Sequence, residues 1–258
     1  WHTKGWAVYP PEPAVADWAR HAHRDALRAV HDPALSQWHQ CQGTWFVGLE
    51  ALANDALGRV GGSDSLTGAA VDALTADLGR WPALHRAQVS VTYPGYPKPR
   101  SVESDAAFRY RRDRDAAHVD GVLGEGDPKR RFVREPHAFI LGLPLSQADR
   151  CAAPLVVWEG SHRVMQRAFA QAFKDCDPTQ MADLDVTRAY VDARREVFET
   201  CPRIVVHGAP GSAYVIHRLA LHGVAPWEPG AQAASEGRMI AYFRPPMPGG
   251  VAAWCGLG

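Results

Sequence analysis

No stretch of this sequence approaches the roughly 20 consecutive apolar residues that a membrane-spanning helix needs. Its opening residues, WHTKGWAVYPPEP, also lack a basic segment leading into an apolar one. Both absences lead to the expectation of a cytoplasmic protein with no membrane partner. Cysteine is sparse: Cys41, Cys151, Cys176, Cys201 and Cys255 are odd in number and contain no CxxC pair. That excludes a disulfide framework and a thiolate zinc site, and it fits a reducing compartment. Neither sign of charge is in excess, with Lys plus Arg and Asp plus Glu at 28 each, so no overall field draws the chain to nucleic acid. A small-molecule partner is expected instead. GVLGEG is not followed by GK[ST], and EGSHR lacks GxSxG spacing, which removes a phosphate-binding loop and a hydrolase elbow. With no repeat, low-complexity tract or linker, the 258 residues read as one domain, 1–258, large enough to bury a sizeable core.

What is present is a chain of many turns, with 20 prolines and 23 glycines. The segment PEPAVADWARHAHRDALRAV predicts a helix over about 12–30, with proline near its start and Val15, Trp18, Ala22, Ala26, Leu27 and Val30 on one face. A second helix is expected over about 66–79, making residues 1–80 a helical flank. After Trp81 the pattern changes. HRAQVSVTYPGYP, PHAFILGLPLS, APLVVWEGSH, PRIVVHGAPGSAYVIHRL and GRMIAYFRPP are β-branched or aromatic runs bounded by Pro, Gly or Asp, and they read as strands. Helical periodicity returns between them at about 163–200. Strands joined by turns favour an antiparallel sandwich or barrel over a parallel doubly wound sheet. The expected fold is mainly β with flanking helices, a jelly roll carrying N-terminal helices and a helical insertion.

Most of the 12 histidines have structural roles in this reading. In HAHRD, residues 21–25, the helix turns His21 and His23 about 200° apart, so they cannot share one ion. His118 and Asp120 differ, because residues i and i+2 of an extended chain project to one side. Gly121 lets the chain turn away behind them. A third ligand comes from GSAYVIHRLALHGVAPW, where His222 stands beside Gly223 at the head of a loop and His217, which continues the strand, is the alternative. His118, Asp120 and His222 compose a two-histidine, one-carboxylate facial set, whose remaining positions suit Fe(II), a bidentate cosubstrate and O2. An α-keto acid cosubstrate needs a cation for its distal carboxylate, best a planar guanidinium. Arg238, opening the last long strand, is the candidate, with Arg244 of the same strand parity as the alternative.

The order of HxD, a strand, VVWEGSHR, HGVAPW and an arginine opening a final strand resembles the phytanoyl-CoA dioxygenase-like family of Fe(II)/2-oxoglutarate-dependent oxygenases. The likeness spans roughly residues 88–246. It implies a double-stranded β-helix of the cupin-like kind, iron held by His118, Asp120 and His222, 2-oxoglutarate clamped by Arg238, and His137 lining the cosubstrate pocket. The chain departs from the family in inserting EPGAQAASEG before Arg238. The activity so implied is hydroxylation of a small molecule with release of succinate and CO2. Two competing readings use the same residues: a cupin-like metalloenzyme without 2-oxoglutarate, and a jelly-roll binding protein with a structural metal. The tracts RYRRDRD and KRRFVRE could draw a carboxylate or phosphate of an anionic substrate to the site, or could form a salt-bridged surface with Asp113, Asp115 and Glu135.

Overall fold

The computed structural model describes residues 1–257; Gly258, the end of the expected single domain, lies outside them. The chain runs through β1 (Trp6–Tyr9), α1 (Pro13–Val30), β2 (His39–Gln40), β3 (Trp45–Gly48), α2 (Ala69–Leu78), β4 (Gln88–Thr92) and α3 (Asp105–Asp113). It continues with the hairpin β5 (Val122–Glu125) and β6 (Arg130–Val133), then β7 (Phe139–Pro144), β8 (Leu155–Trp158), α4 (Ser161–Phe173) and α5 (Thr187–Thr200). It closes with β9 (Arg203–Val206), β10 (Ala213–His217), β11 (His222–Val224), β12 (Arg238–Phe243) and α6 (Gly250–Cys255).

Period-two patterning explains how these strands become two facing sheets. The larger has seven strands in the order β1-β10-β7-β12-β4-β3-β2, and the smaller has the order β11-β8-β9. Every named strand pair is antiparallel. In β7, Phe139, Leu141 and Leu143 face α1 and α2, while Ile140 faces the space between the sheets. In β12, Met239, Ala241 and Phe243 take the helix side and Ile240 the inner side. The smaller sheet alternates in the same way, with Leu155 and Val157 inward and Val156 and Trp158 packed under α4, α5 and α6. The result is four layers, with helices outside a two-sheet jelly roll. Among the described residues no helix is long and apolar enough to cross a membrane.

The expected helices at about 12–30 and 66–79 are α1 and α2, and the expected insertion is α4, a short 3-10 turn and α5. The N-terminal 80 residues need a correction, because they are not purely helical: β1, β2 and β3 all join the larger sheet. Their brevity hid them, since two to four residues are too few for a period to register. The segment GTWFVGL serves two faces at once. Phe46 packs into the helix-side core, while Trp45, Val47 and Leu49 line an internal cavity. The tract RYRRDRD falls within α3 and its C-terminal end, with Arg111 buried against Glu103 at 2.5 Å.

One inward position is reserved by packing. A Cβ on Gly142 of β7 would lie 2.0 Å from the Tyr214 ring, which fills the space between the sheets. Gly142→Ala is expected to destabilise the fold by about 1–3 kcal/mol, as overpacked cores do. Urea unfolding tests this, and an unchanged midpoint would mean that Tyr214 does not occupy that space.

Candidate metal centre

Two backbone hydrogen bonds bring the candidate ligands together. The His118 N–H donates to the His222 carbonyl at 2.9 Å, and the His222 N–H donates to the His118 carbonyl at 3.0 Å. The HxD segment thereby extends the small sheet beyond β11 as a single antiparallel bridge. The neighbouring contacts explain why it sits there. Asp115 and Ala116 adopt left-handed backbone (φ 53° and 54°), which folds the chain back after α3. Arg203, at the start of β9, grips the buried Asp115 carboxylate with two bonds of 2.7 and 2.9 Å. A Cβ on Gly223 would lie 2.0 Å from the Asp115 carbonyl, so glycine after His222 is what lets the two segments cross. Gly121, with φ of 80°, turns the chain after Asp120 against the Glu135 carbonyl.

The ligand atoms of His118, Asp120 and His222 all lie within 4.8 Å of one another. Asp120 Oδ1 is 3.1 Å from His118 Nε2 and 3.7 Å from His222 Nε2. Metal–ligand bonds of about 2.1 Å at right angles separate donors by about 3 Å, so this spacing suits one ion. Each imidazole is anchored in the same way behind that face: His118 Nδ1 lies 2.9 Å from the Ala116 carbonyl and His222 Nδ1 lies 3.0 Å from that of Ala220. A proton on each Nδ1 would donate to its carbonyl and leave Nε2 free for an ion, the arrangement a metal requires. Burial, followed by the neighbouring His118, pushes the His222 pKa down to about 4, which keeps it neutral and available as a donor. Burial opposes the charge on Asp120, but Arg244, His222 and His118 outweigh it and hold the carboxyl well below its usual range. Both properties are those of ligand side chains, and the donor set fits a divalent ion of the iron type.

Above the triad lies a cavity of about 220 Å³, walled by apolar and aromatic groups such as Trp45, Tyr96, Ile140 and Tyr242. No family model matches the chain, and no curated protein matches it in sequence. Solved structures do resemble it. EctD from S. alaskensis, in a structure with bound Fe, aligns with a TM-score of 0.50 at 16% identity, over 96% of this chain and 77% of that one. SnoK, described as a non-haem alpha-ketoglutarate-dependent carbocyclase from nogalamycin biosynthesis, gives 0.46 at 10% identity over 95% and 81%. The nogalamycin epimerase SnoN, in complex with Fe3+ and alpha-ketoglutarate, gives 0.45 at 13% identity over 98% and 85%. The chain has the EctD fold. At such identities the likeness carries the fold and no chemistry.

The remaining sequence candidates fall in different places. Arg238 opens β12 on the inward face, buried, and is paired in register with Thr92 of β4. The ion pairs nearby use Arg203 with Asp115 and Arg244 with Asp120, and none among the described residues uses Arg238. The Thr92 hydroxyl beside it is also buried without a hydrogen-bond partner. Arg244 lies just beyond the other end of β12 and donates from Nη1 to Asp120 Oδ2 at 3.2 Å. His137 lines a second cavity of about 590 Å³, which shares Gln88 and Arg244 with the first. Its Nε2 is buried without a hydrogen bond, with Glu135 Oε2 3.6 Å away. In the GSHR motif, the Ser161 hydroxyl accepts from the Leu221 N–H at 2.9 Å and so sets the residue next to His222.

His217, the alternative third ligand, is outside the triad, against the rings of Trp1 and His162. In HAHRD, His21 contacts the Gly61 carbonyl and His23 pairs with Glu236, both structural. Four of the eight basic residues in the two tracts are in ion pairs: Arg111 with Glu103, Arg112 with Asp113, Arg130 with Asp185, and Arg134 with Glu125 and Asp183. Sequence reasoning missed the Arg203–Asp115 clamp, since an isolated acid and an isolated base 88 residues apart carry no local signal.

Burial, with Arg218 and His162 nearby, pushes the His217 pKa down to about 2. The folded state therefore resists a proton that the unfolded chain accepts below about pH 6.5, so this residue makes stability fall as pH drops through that window. His217→Asn, whose amide oxygen can still accept the Leu219 N–H as Nδ1 does at 3.1 Å, is expected to flatten that slope. The change should approach 1.4 kcal/mol per pH unit, measured by denaturant titration from pH 4.5 to 6.5. An unaltered slope would mean that His217 titrates normally.

Proposed function

We propose that the protein is a non-haem Fe(II)/2-oxoglutarate-dependent dioxygenase of the phytanoyl-CoA dioxygenase-like kind, hydroxylating a small molecule. The observation that carries this reading is the triad itself: two imidazoles locked by carbonyls behind them, and one carboxylate oxygen between their Nε2 atoms. The fold shared with EctD, whose structure holds Fe, supports it. Bound iron would supply the coupling of O2 reduction to decarboxylation of 2-oxoglutarate, giving succinate, CO2 and a hydroxylated C–H bond.

The chain's own groups supply binding and orientation. His118, Asp120 and His222 hold one face of the ion and leave the other to the cavity. Arg238 receives the distal carboxylate of 2-oxoglutarate. A buried guanidinium without an anion is costly, and the unpartnered Thr92 hydroxyl on the same face offers that carboxylate a second bond. Tyr214, buried between the sheets, is close enough to Arg238 to feel its charge, and the cavity over the triad opens on the same side of the large sheet. Ile140, Leu155 and Ile216 exclude water from it. His137, in the adjoining cavity, is assigned to the approach beyond Arg244.

Under anaerobic conditions, Fe(II) and 2-oxoglutarate are expected to give a weak visible charge-transfer band. Asp120→Ala should abolish it, and Arg238→Ala should raise the 2-oxoglutarate concentration needed by tenfold or more. A wild-type protein that binds iron yet shows no band would exclude 2-oxoglutarate and leave a cupin-like metalloenzyme of another kind.

A further inference from the structure

We propose that Arg244 is a positioning residue: it holds the Asp120 carboxylate so that a single oxygen, Oδ1, faces the metal, which keeps a coordination position free. The cosubstrate part of this statement rests on the function proposed above. The geometry behind it belongs to the chain alone. Oδ1 is the oxygen that approaches both Nε2 atoms, at 3.1 and 3.7 Å, while Oδ2 receives the Arg244 Nη1–H at 3.2 Å. The same guanidinium donates through Nη2 to Gln88 Oε1. Gln88 opens β4, and Arg244 directly follows β12, its partner strand in the larger sheet. One prong of the fork is therefore tied to the large sheet and the other to Asp120, which cannot rotate about its last bond without breaking a charge-assisted hydrogen bond.

A carboxylate takes either one or two positions on a metal. With two imidazoles and one carboxylate oxygen bound, three of six octahedral positions remain, two for a chelating keto acid and one for O2. If Oδ2 also bound, one of those would be lost. Arg244 blocks that outcome by occupying Oδ2. This separates it from Arg238, which has no anionic partner among the described residues and takes the distal carboxylate. The two arginines that share strand parity thus act on opposite ends of one chelate.

The test uses Co(II) as the metal and oxalate as a chelator lacking a distal carboxylate, in parallel with 2-oxoglutarate, each titrated calorimetrically. In Arg244→Ala, Co(II) affinity should stay within threefold of wild type or tighten, because a neighbouring cation is removed and a second oxygen freed. Oxalate and 2-oxoglutarate should both weaken tenfold or more, and by the same factor. Arg244→Lys should recover part of the loss, because a point charge replaces the fork. Should Arg244→Ala fail to fold, Gln88→Ala removes only the far anchor and should weaken oxalate by about threefold at unchanged Co(II) affinity. Loss of 2-oxoglutarate binding with oxalate unaffected would overturn the proposal and make Arg244 the distal clamp. Unchanged oxalate affinity in both variants would overturn it as well. Absence of the Fe(II)–2-oxoglutarate band in the wild type would sink the proposed function while leaving the Co(II) and oxalate comparison fully informative.

Discussion

The paired backbone bonds between His118 and His222 are the constraint on which the rest of this structure depends. They join two points from opposite halves of the chain, and the approach is closer than any residue with a side chain at 223 allows. Around that single bridge the chain spends several unusual features: left-handed backbone at Asp115 and Ala116, a buried Arg203–Asp115 pair, and a serine hydroxyl from the GSHR motif that fixes Leu221. Of these, only Ala116 also lines the cavity over the triad. They act by placing two imidazoles so that short bonds to their own preceding carbonyls leave both Nε2 atoms aimed at one carboxylate.

The division of labour between the sheets follows from the same bridge. The small sheet carries two of the three ligands, with β8 and β9 behind them. The large sheet carries Arg238 at one end of β12 and, just past the other, Arg244, which donates to Asp120. Strand alternation sends both into the interior while Met239, Ala241 and Phe243 hold the strand to α1 and α2. Site and stability thus share a strand without sharing a face.

Much of this was legible in the sequence, and the reason differs from element to element. Long amphipathic segments such as α1, and β-branched runs such as β7 and β10, announce themselves through period alone. The His118, Asp120 and His222 set was readable because extended-chain geometry puts i and i+2 on one side, and because glycine marked the position after His222. The reason for that glycine was not readable: it stands under a crossing segment, not at the head of a loop. β1 to β3 are too short to show a period, and RYRRDRD looked like surface while burying Arg111. His137 lines the neighbouring cavity, and register along the segment before β7, which decides this, is set by pairing with the chain after β12.

The helical excursion between β8 and β9 leaves the small sheet at Gly160 and re-enters it at Arg203. Both of its ends are tied to the ligand segments, the first by Ser161 under Leu221 and the second by Arg203 on Asp115. Between those two ties Met165, Phe169, Tyr190 and Val197 are buried in one cluster with Ala117, Val119 and Leu221, the neighbours of His118, Asp120 and His222. A change of length within α4 or α5 that spares the serine and the arginine therefore still reaches the triad, through the core that backs its segments. The excursion is thus a buttress whose buried face shares in the site's geometry, while its outer face alone is open to new surface.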